Sequence, residues 1–363
     1  MVKKNKNVTG GNYMVNESLK NQLKYISFLS ADFKLESAAG NVETQCIHYP
    51  DAEFAFLHES AIIEFHGTLF AAWYNCPEKE LEGRTIIRGC RSHDGGKNWD
   101  AVETLCEDPE GKLQYCPPVF GVSDDTLYML VNTMIGFDKI HSLEYYRFNE
   151  TTKKFEFFRS EPLPFKLNCN AERLASGKLL LAGRTGKLDE LLEIPAVMLS
   201  DSGKMTGPWR IVPFQKDNSL PEGNQFVFPE TSVIVQGETI YAFTRWRSPL
   251  VYVSTDSGES WSAPMRTDIP LGDSKIYSGH LADGKNYIIG NEISGREQLF
   301  IAFTEPEKLT FVKGVILRNG NDPAINCTPE WSYPIAHECD SKLYIIYTTA
   351  KKGAMLSIVD LTR

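Results

Sequence analysis

Hydrophobic and polar positions alternate along this chain in short bursts. Six apolar, β-rich runs stand out: Leu69–Tyr74, Leu127–Asn132, Leu179–Arg184, Ile240–Arg245, Tyr287–Asn291 and Leu343–Tyr347. Their starts lie 58, 52, 61, 47 and 56 residues apart. Each follows a tight polar or glycine-containing turn, such as His66-Gly67, Asp124-Asp125 or Asp340-Ser341. Another strand candidate precedes each turn, and a variable loop leads from each run to a third. Runs of this length, bounded by turn residues, predict strands rather than helices.

The third strand of two repeats ends in the same eight-residue pattern, S-x-D-x-G-x-x-W: Ser92-His-Asp94-Gly-Gly96-Lys-Asn-Trp99 and Ser254-Thr-Asp256-Ser-Gly258-Glu-Ser-Trp261. The pattern suits a β-turn in which the aspartate accepts from backbone N–H groups, glycine supplies positive φ, and tryptophan folds back as a plug. Worn versions stand at equivalent places: Ser200-Asp201-Ser-Gly203 with Trp209, Phe148 with Phe155, and Thr304 with Phe311. Positions 92, 148, 200, 254 and 304 keep step with the apolar runs.

A period near ~55 residues with four short strands per unit predicts an all-β, six-bladed β-propeller. Six units fill about residues 55–361, and the last runs out after its third strand. A strand from Tyr25–Leu29 or Val42–Ile47 is therefore expected to close the ring as that blade's outer strand, which removes an exposed sheet edge. Residues 1–40 read as an N-terminal extension and 41–363 as the single propeller domain.

Composition changes this picture little. Hydrophobic content of 42%, charged content of 23% and net charge −9 describe a globular chain without the basic balance that nucleic acid demands. No run approaches the ~20 apolar residues of a membrane span. The start, Met1-Val-Lys-Lys-Asn-Lys, carries charge but no apolar core follows it. As written the chain belongs in the cytoplasm; with a leader removed it would be secreted or periplasmic. The eight scattered cysteines form no C-x-x-C pair and read as reduced, mostly buried thiols. The seven histidines show no ligand spacing, so neither a metal nor another cofactor is expected.

In a propeller the first strand of each blade lines the channel, so residues entering first strands and leaving second strands gather on one face. The entrances include His58-Glu59, Cys116, Asn168, Glu230 and Tyr333; the exits include Trp73, Asn132, Arg184, Arg245-Trp246-Arg247 and Asn291. Carboxylates, arginines, amides and aromatics converging on one funnel are what a sugar or sugar acid requires. A plainer role open to any one of them is a bond to a neighbouring blade.

The paired Asp boxes at blade spacing resemble the sialidase (neuraminidase) superfamily of BNR/Asp-box propellers. Phe228-Pro-Glu230-Thr-Ser-Val233, leading through Gly237 to Arg245, is similar to the family's central glutamate and one arginine of its carboxylate-binding triad. Gly295-Arg296 is similar to another triad arginine, and Trp331-Ser-Tyr333-Pro to the site of the tyrosine nucleophile. The resemblance thus implies a glycoside hydrolase acting on an oligosaccharide or glycoconjugate with a terminal acidic sugar. Tyr333 would attack, Glu230 would take its proton, and Arg245, Arg296 and Arg247 or Arg184 would hold the substrate, with Asn132 and Trp73 in the funnel wall. Where the family carries its first arginine, this chain has Leu57-His58-Glu59-Ser60; where the family carries its acid, there are Glu78, Glu80 and Glu82. Glu59 is a further candidate acid. Two other readings stand beside this one: an exo-glycosidase of different specificity using Glu59 with Glu230, and a non-catalytic glycan-binding propeller.

Overall fold

The computed structural model describes residues 23–38 and 40–362. Six sheets, antiparallel but for one added edge strand, follow one another along the chain, each a blade. Blade one comprises Phe56–Phe65, Thr68–Cys76, Ile86–Ser92 and Glu103–Cys106, paired in that order. Blade two runs from Gln114 to Glu161, blade three from Phe165 to Pro213 and blade four from Thr231 to Arg266. Three hairpins at the channel, Phe65–Thr68, Ser123–Thr126 and Cys339–Lys342, turn in two residues. Both turn residues have positive φ in each (His66-Gly67, Asp124-Asp125, Asp340-Ser341). That geometry matches the right-handed twist of the flanking strands.

The ring closes between the two ends of the chain. Blade six takes Trp331–Cys339, Lys342–Thr349 and Gly353–Asp360, and its outer strand is Val42–His48, running antiparallel with Val42 opposite Val359. Of the two expected segments, then, the second closes the ring. The first does something else: Tyr25 bridges Arg266 of blade four. Leu29–Ser37, inside the expected extension, adds a fifth, parallel strand to the outer edge of blade five beside Phe311–Asn319.

Apolar side chains pack between adjacent blades rather than in one central core, as when Phe70 of blade one meets Phe148 and Phe155 of blade two. The Asp boxes staple these seams. Ser92 donates to Asp94 (2.9 Å), Asp94 accepts from the Asn98 N–H (2.9 Å), and Gly96 N–H donates back to Ser92 (2.9 Å). Ser254, Asp256, Gly258 and Ser260 repeat the same bonds. Trp261 packs 4.2 Å from Phe214, at the end of blade three. All eight cysteines are free thiols. No helix among the described residues is long and apolar enough to cross a membrane.

Candidate active site

The inner strands are interrupted at one level. Pairing slips between His58 and Ala61 in blade one, between Tyr115 and Pro118 in blade two, and between Ser332 and Ile335 in blade six. Blade three breaks between Leu167 and Glu172. Bulges of this kind re-aim side chains, and here they turn Glu59, Cys116 and Tyr333 toward the centre. Glu59 and Tyr333 pay for it with φ of 44° and 60°.

Around Tyr333 the geometry is dense. Glu230 precedes the inner strand of blade four, Arg245 follows its second strand, and the Arg245 N–H donates to the Glu230 carbonyl (2.8 Å). This backbone bond sets their side chains side by side. Arg245 Nη1 reaches Glu230 Oε2 at 2.9 Å and the Tyr333 hydroxyl at 3.2 Å, while its Nε donates to Asp273 at 2.8 Å. Arg296 lies 5.7 Å from the Tyr333 ring and is paired with Glu330 at 2.8 Å. Burial alone would raise the Glu230 carboxyl, yet Arg245, Arg184 and Lys275 hold it below the usual carboxylate range, with the Tyr333 hydroxyl adding in the same direction. Burial and then the Glu230 carboxylate push the Tyr333 phenol well up, against Arg245 and Arg296. At rest the proton stays on the tyrosine.

Beside this group runs a chain of buried charges. Arg184 donates to Asp138 (2.6 Å), Asp138 accepts from Lys166, and Lys166 and Lys275 each lie 3.5 Å from Glu59. Lys275 also sits 5.5 Å from the Tyr333 ring. Phe228 links the two groups, lying 5.1 Å from the Arg184 guanidinium and 5.9 Å from that of Arg245.

The structure thus brings together Tyr333, Glu230, Arg245, Arg296, Arg184, Glu59 and His58, and corrects several expected roles. His58 cannot stand in for an arginine. Burial, then Lys351, Arg296 and Lys275, push its pKa well below the ordinary value, so the ring is neutral, bonded to Thr348 (2.9 Å) and packed 4.1 Å from Tyr333. Trp73 is core: its N–H bonds Asn75 (2.9 Å) and its ring stacks on His48 of the ring-closing strand. Asn132 is a tie between blades, donating to the Phe165 carbonyl (2.8 Å) and accepting from Leu167 N–H (2.9 Å). Arg247 is exposed and makes none of the cluster's bonds. Glu80 is paired with Lys351 (2.6 Å), Glu82 with Lys79 (3.7 Å), and Glu59 lies between Lys166 and Lys275 (3.5 Å each).

Asp138, Lys166, Asp273 and Lys275 escaped the sequence reading. Lys166 stands two residues upstream of the entrance Asn168 and Lys275 two upstream of Tyr277, and the signal was there: each is a lysine beside or within an apolar stretch, Phe165-Lys166-Leu167 and Lys275-Ile276-Tyr277. Asp138 and Asp273 lie in loops outside the named strands.

A six-bladed propeller with Asp-box staples and this tyrosine–glutamate–arginine group defines a protein of the sialidase fold class. The comparisons agree. The BNR repeat-like domain family matches residues 67–345, and the chain belongs to that family. No curated protein matches it. Among solved structures, a protein of unknown function from Dyadobacter fermentans is similar at 14% identity and TM-score 0.70, covering 89% of this chain and 100% of that one. A K499G mutant of the NanB sialidase of Streptococcus pneumoniae gives 14% and 0.63, covering 88% and 70%. A leech intramolecular trans-sialidase gives 12% and 0.66, covering 87% and 70%. At such identities the likeness speaks for the fold.

Proposed function

We propose that this protein is a glycoside hydrolase that releases a terminal acidic sugar from a glycan. The observation that carries the reading is the single guanidinium nitrogen of Arg245 shared by Glu230 and the Tyr333 hydroxyl. Tyr333 Oη attacks the anomeric carbon as its proton passes to Glu230, and the glycosidic bond breaks, the leaving oxygen taking a proton from water. Water then releases the sugar from the tyrosine, returning a proton through the same glutamate. Arg245 offsets the charge that develops on the phenolic oxygen. Arg296 and Arg184 supply N–H groups to the sugar's carboxylate and hydroxyls.

Aryl glycosides of acidic sugars test this directly, because their leaving group departs without needing a proton. Purified protein is expected to release the fluorophore from at least one 4-methylumbelliferyl glycoside of a terminal acidic sugar, and Tyr333→Phe to slow that release by roughly a hundred-fold or more. Release undiminished in Tyr333→Phe would overturn the tyrosine mechanism. A second reading, a glycan-binding propeller without turnover, is favoured by the ion pairs that hold both Arg245 and Arg296 and by the neutral His58. It predicts sugar affinity that survives Glu230→Gln, and no hydrolysis in the wild type.

A further inference from the structure

Asp273 touches both arginines that flank Tyr333. Its carboxylate accepts from Arg245 Nε at 2.8 Å and its carbonyl from Arg296 Nη2 at 3.5 Å. One residue thus fills the gap between the two guanidinium groups. It is also the outermost member of the group: side-chain exposure falls from 45% at Asp273 to 25% at Arg296, 12% at Arg245 and 4% at Glu230. The backbone on either side is pinned. Gly272 N–H donates to the Asn291 carbonyl (2.9 Å), Ser248 N–H donates to the Leu271 carbonyl (2.9 Å), and Lys275 is buried 3.5 Å from Glu59. At Gly272 the loop runs so close to blade five's second strand that a Cβ would stand 2.8 Å from the Glu292 carbonyl oxygen. The loop is held in place, and the Asp273 side chain can leave Arg245 by rotating into solvent.

Charge gives this contact its consequence. Arg245 and Arg296 face three carboxylates, those of Glu230, Asp273 and Glu330. With Arg184, Lys166 and Lys275 and their partners Asp138 and Glu59, the whole cluster holds five cations and five carboxylates. A further carboxylate entering beside Asp273 would leave one negative charge in excess at short range, where like charges repel strongly. We infer that Asp273 is a specificity-determining residue: its carboxylate holds the anion position between Arg245 and Arg296, and an acidic sugar binds by displacing it. The inference rests on the hydrolase reading for one point, that the sugar's carboxylate lies against these two arginines. Exchange of one carboxylate for another preserves the charge balance and the charge-assisted hydrogen bonds of Arg245. A neutral sugar has nothing to exchange, so Asp273 stays and the arginines add nothing to its binding. The contact screens ligands for negative charge and lowers the affinity of those it admits.

The test is calorimetric titration of the full chain, wild type and Asp273→Asn, with N-acetylneuraminate and with its methyl ester, which lacks the charge. The variant is expected to bind the acid about ten-fold more tightly than the wild type does, and the ester within two-fold of the wild type. Asp273→Ala is expected to behave in the same way, with thermal melting confirming both folds. Acid affinity that is unchanged or weakened overturns the inference, since a residue that merely positions Arg245 would weaken the acid when removed. An ester that gains as much as the acid overturns it, as does acid that binds none of the three proteins. A crystal structure of the wild type with the acid needs no variant: Asp273 is expected to be turned away from Arg245, and a bound carboxylate beside an intact Arg245–Asp273 pair overturns the inference. Because titration reads affinity without turnover, tighter acid binding in Asp273→Asn while the aryl glycoside survives every protein overturns the hydrolase reading and leaves the role of Asp273 standing.

Discussion

Glu59 and Tyr333 stand at the same step of adjacent inner strands, each the pivot of a bulge and each in left-handed backbone geometry that non-glycine residues rarely adopt. Such residues cost of order 1–3 kcal/mol apiece and persist where surrounding structure over-determines them. In the two blades the distortion aims a carboxylate and a phenol at the centre. Tyr333→Phe preserves this backbone and the ring packed on His58, and removes only the hydroxyl. It is therefore expected to fold as the wild type does while kcat on an aryl glycoside falls by roughly 10²–10⁴-fold, with Glu230→Gln falling in the same range. Circular dichroism beside steady-state kinetics checks both halves; kcat within a factor of three of wild type in both variants would remove the pair from the mechanism.

Two glutamates give pH dependence of opposite sense. Glu172 lies half-buried in the inner strand of blade three, and desolvation pushes its carboxyl up to about 7. Unfolded, it would ionise near ~4.3. Between these values the folded state holds a proton that the unfolded state has lost, so stability falls as pH rises and levels off above 7. Glu172→Gln is expected to flatten this decline and to stabilise the protein at pH 8 by on the order of 2 kcal/mol. Glu230, held low by its cations, contributes stability that is present above its unfolded value and is lost only as acid pulls the pH down through its folded one. Urea melts from pH 4.5 to 8 measure the first effect. A wild-type profile already flat over that range would refute it.

The repeat was legible because turn chemistry is local. Asp94 and Asp256 advertise their turns within eight residues, and the apolar runs keep step regardless of what the loops do. The site was legible where the repeat itself places residues, which is why Glu59, Glu230, Arg245 and Tyr333 could be named at equivalent steps. It failed in two directions. Asn132 and Trp73 occupy the right step but face neighbouring strands, because successive side chains of a strand point to opposite sides. Lys166, Lys275, Asp138 and Asp273 lie off the repeat or in loops, and only three-dimensional closure of the ring brings them to Glu59 and Arg245.

The Asp boxes end third strands, at the opposite end of the blade from Tyr333, since Ser92 pairs with Leu69 at the start of the second strand. Backbone and side-chain donors of Asn98 hold the Asp94 carboxyl down to about 2, and the Ser260 hydroxyl and N–H do the same for Asp256. Asp94→Ala and Asp256→Ala should each lower the melting temperature by a few degrees and leave kcat and KM as they were. A variant that melts normally but loses turnover would assign the boxes a role in the chemistry.

The N-terminal strands make separable contributions. Phe28 is buried at the outer edge of blade five, its ring 5.2 Å from Phe243 and 6.2 Å from Tyr241, and its N–H donates to Asp268 at 2.8 Å. Phe28→Ala removes a large ring from a packed seam and should cost about 3 kcal/mol without altering turnover. A chain beginning at residue 41 loses Leu29–Ser37 as well but keeps Val42–His48, so the ring still closes; it should fold with reduced stability. Starting at residue 50 uncovers the Gly353–Asp360 edge and unties the two ends of the chain. That chain should show no cooperative unfolding transition. Urea melts of the three proteins decide the matter, and a residue-50 chain that unfolds as sharply as the full one would show that the ring does not depend on its closing strand.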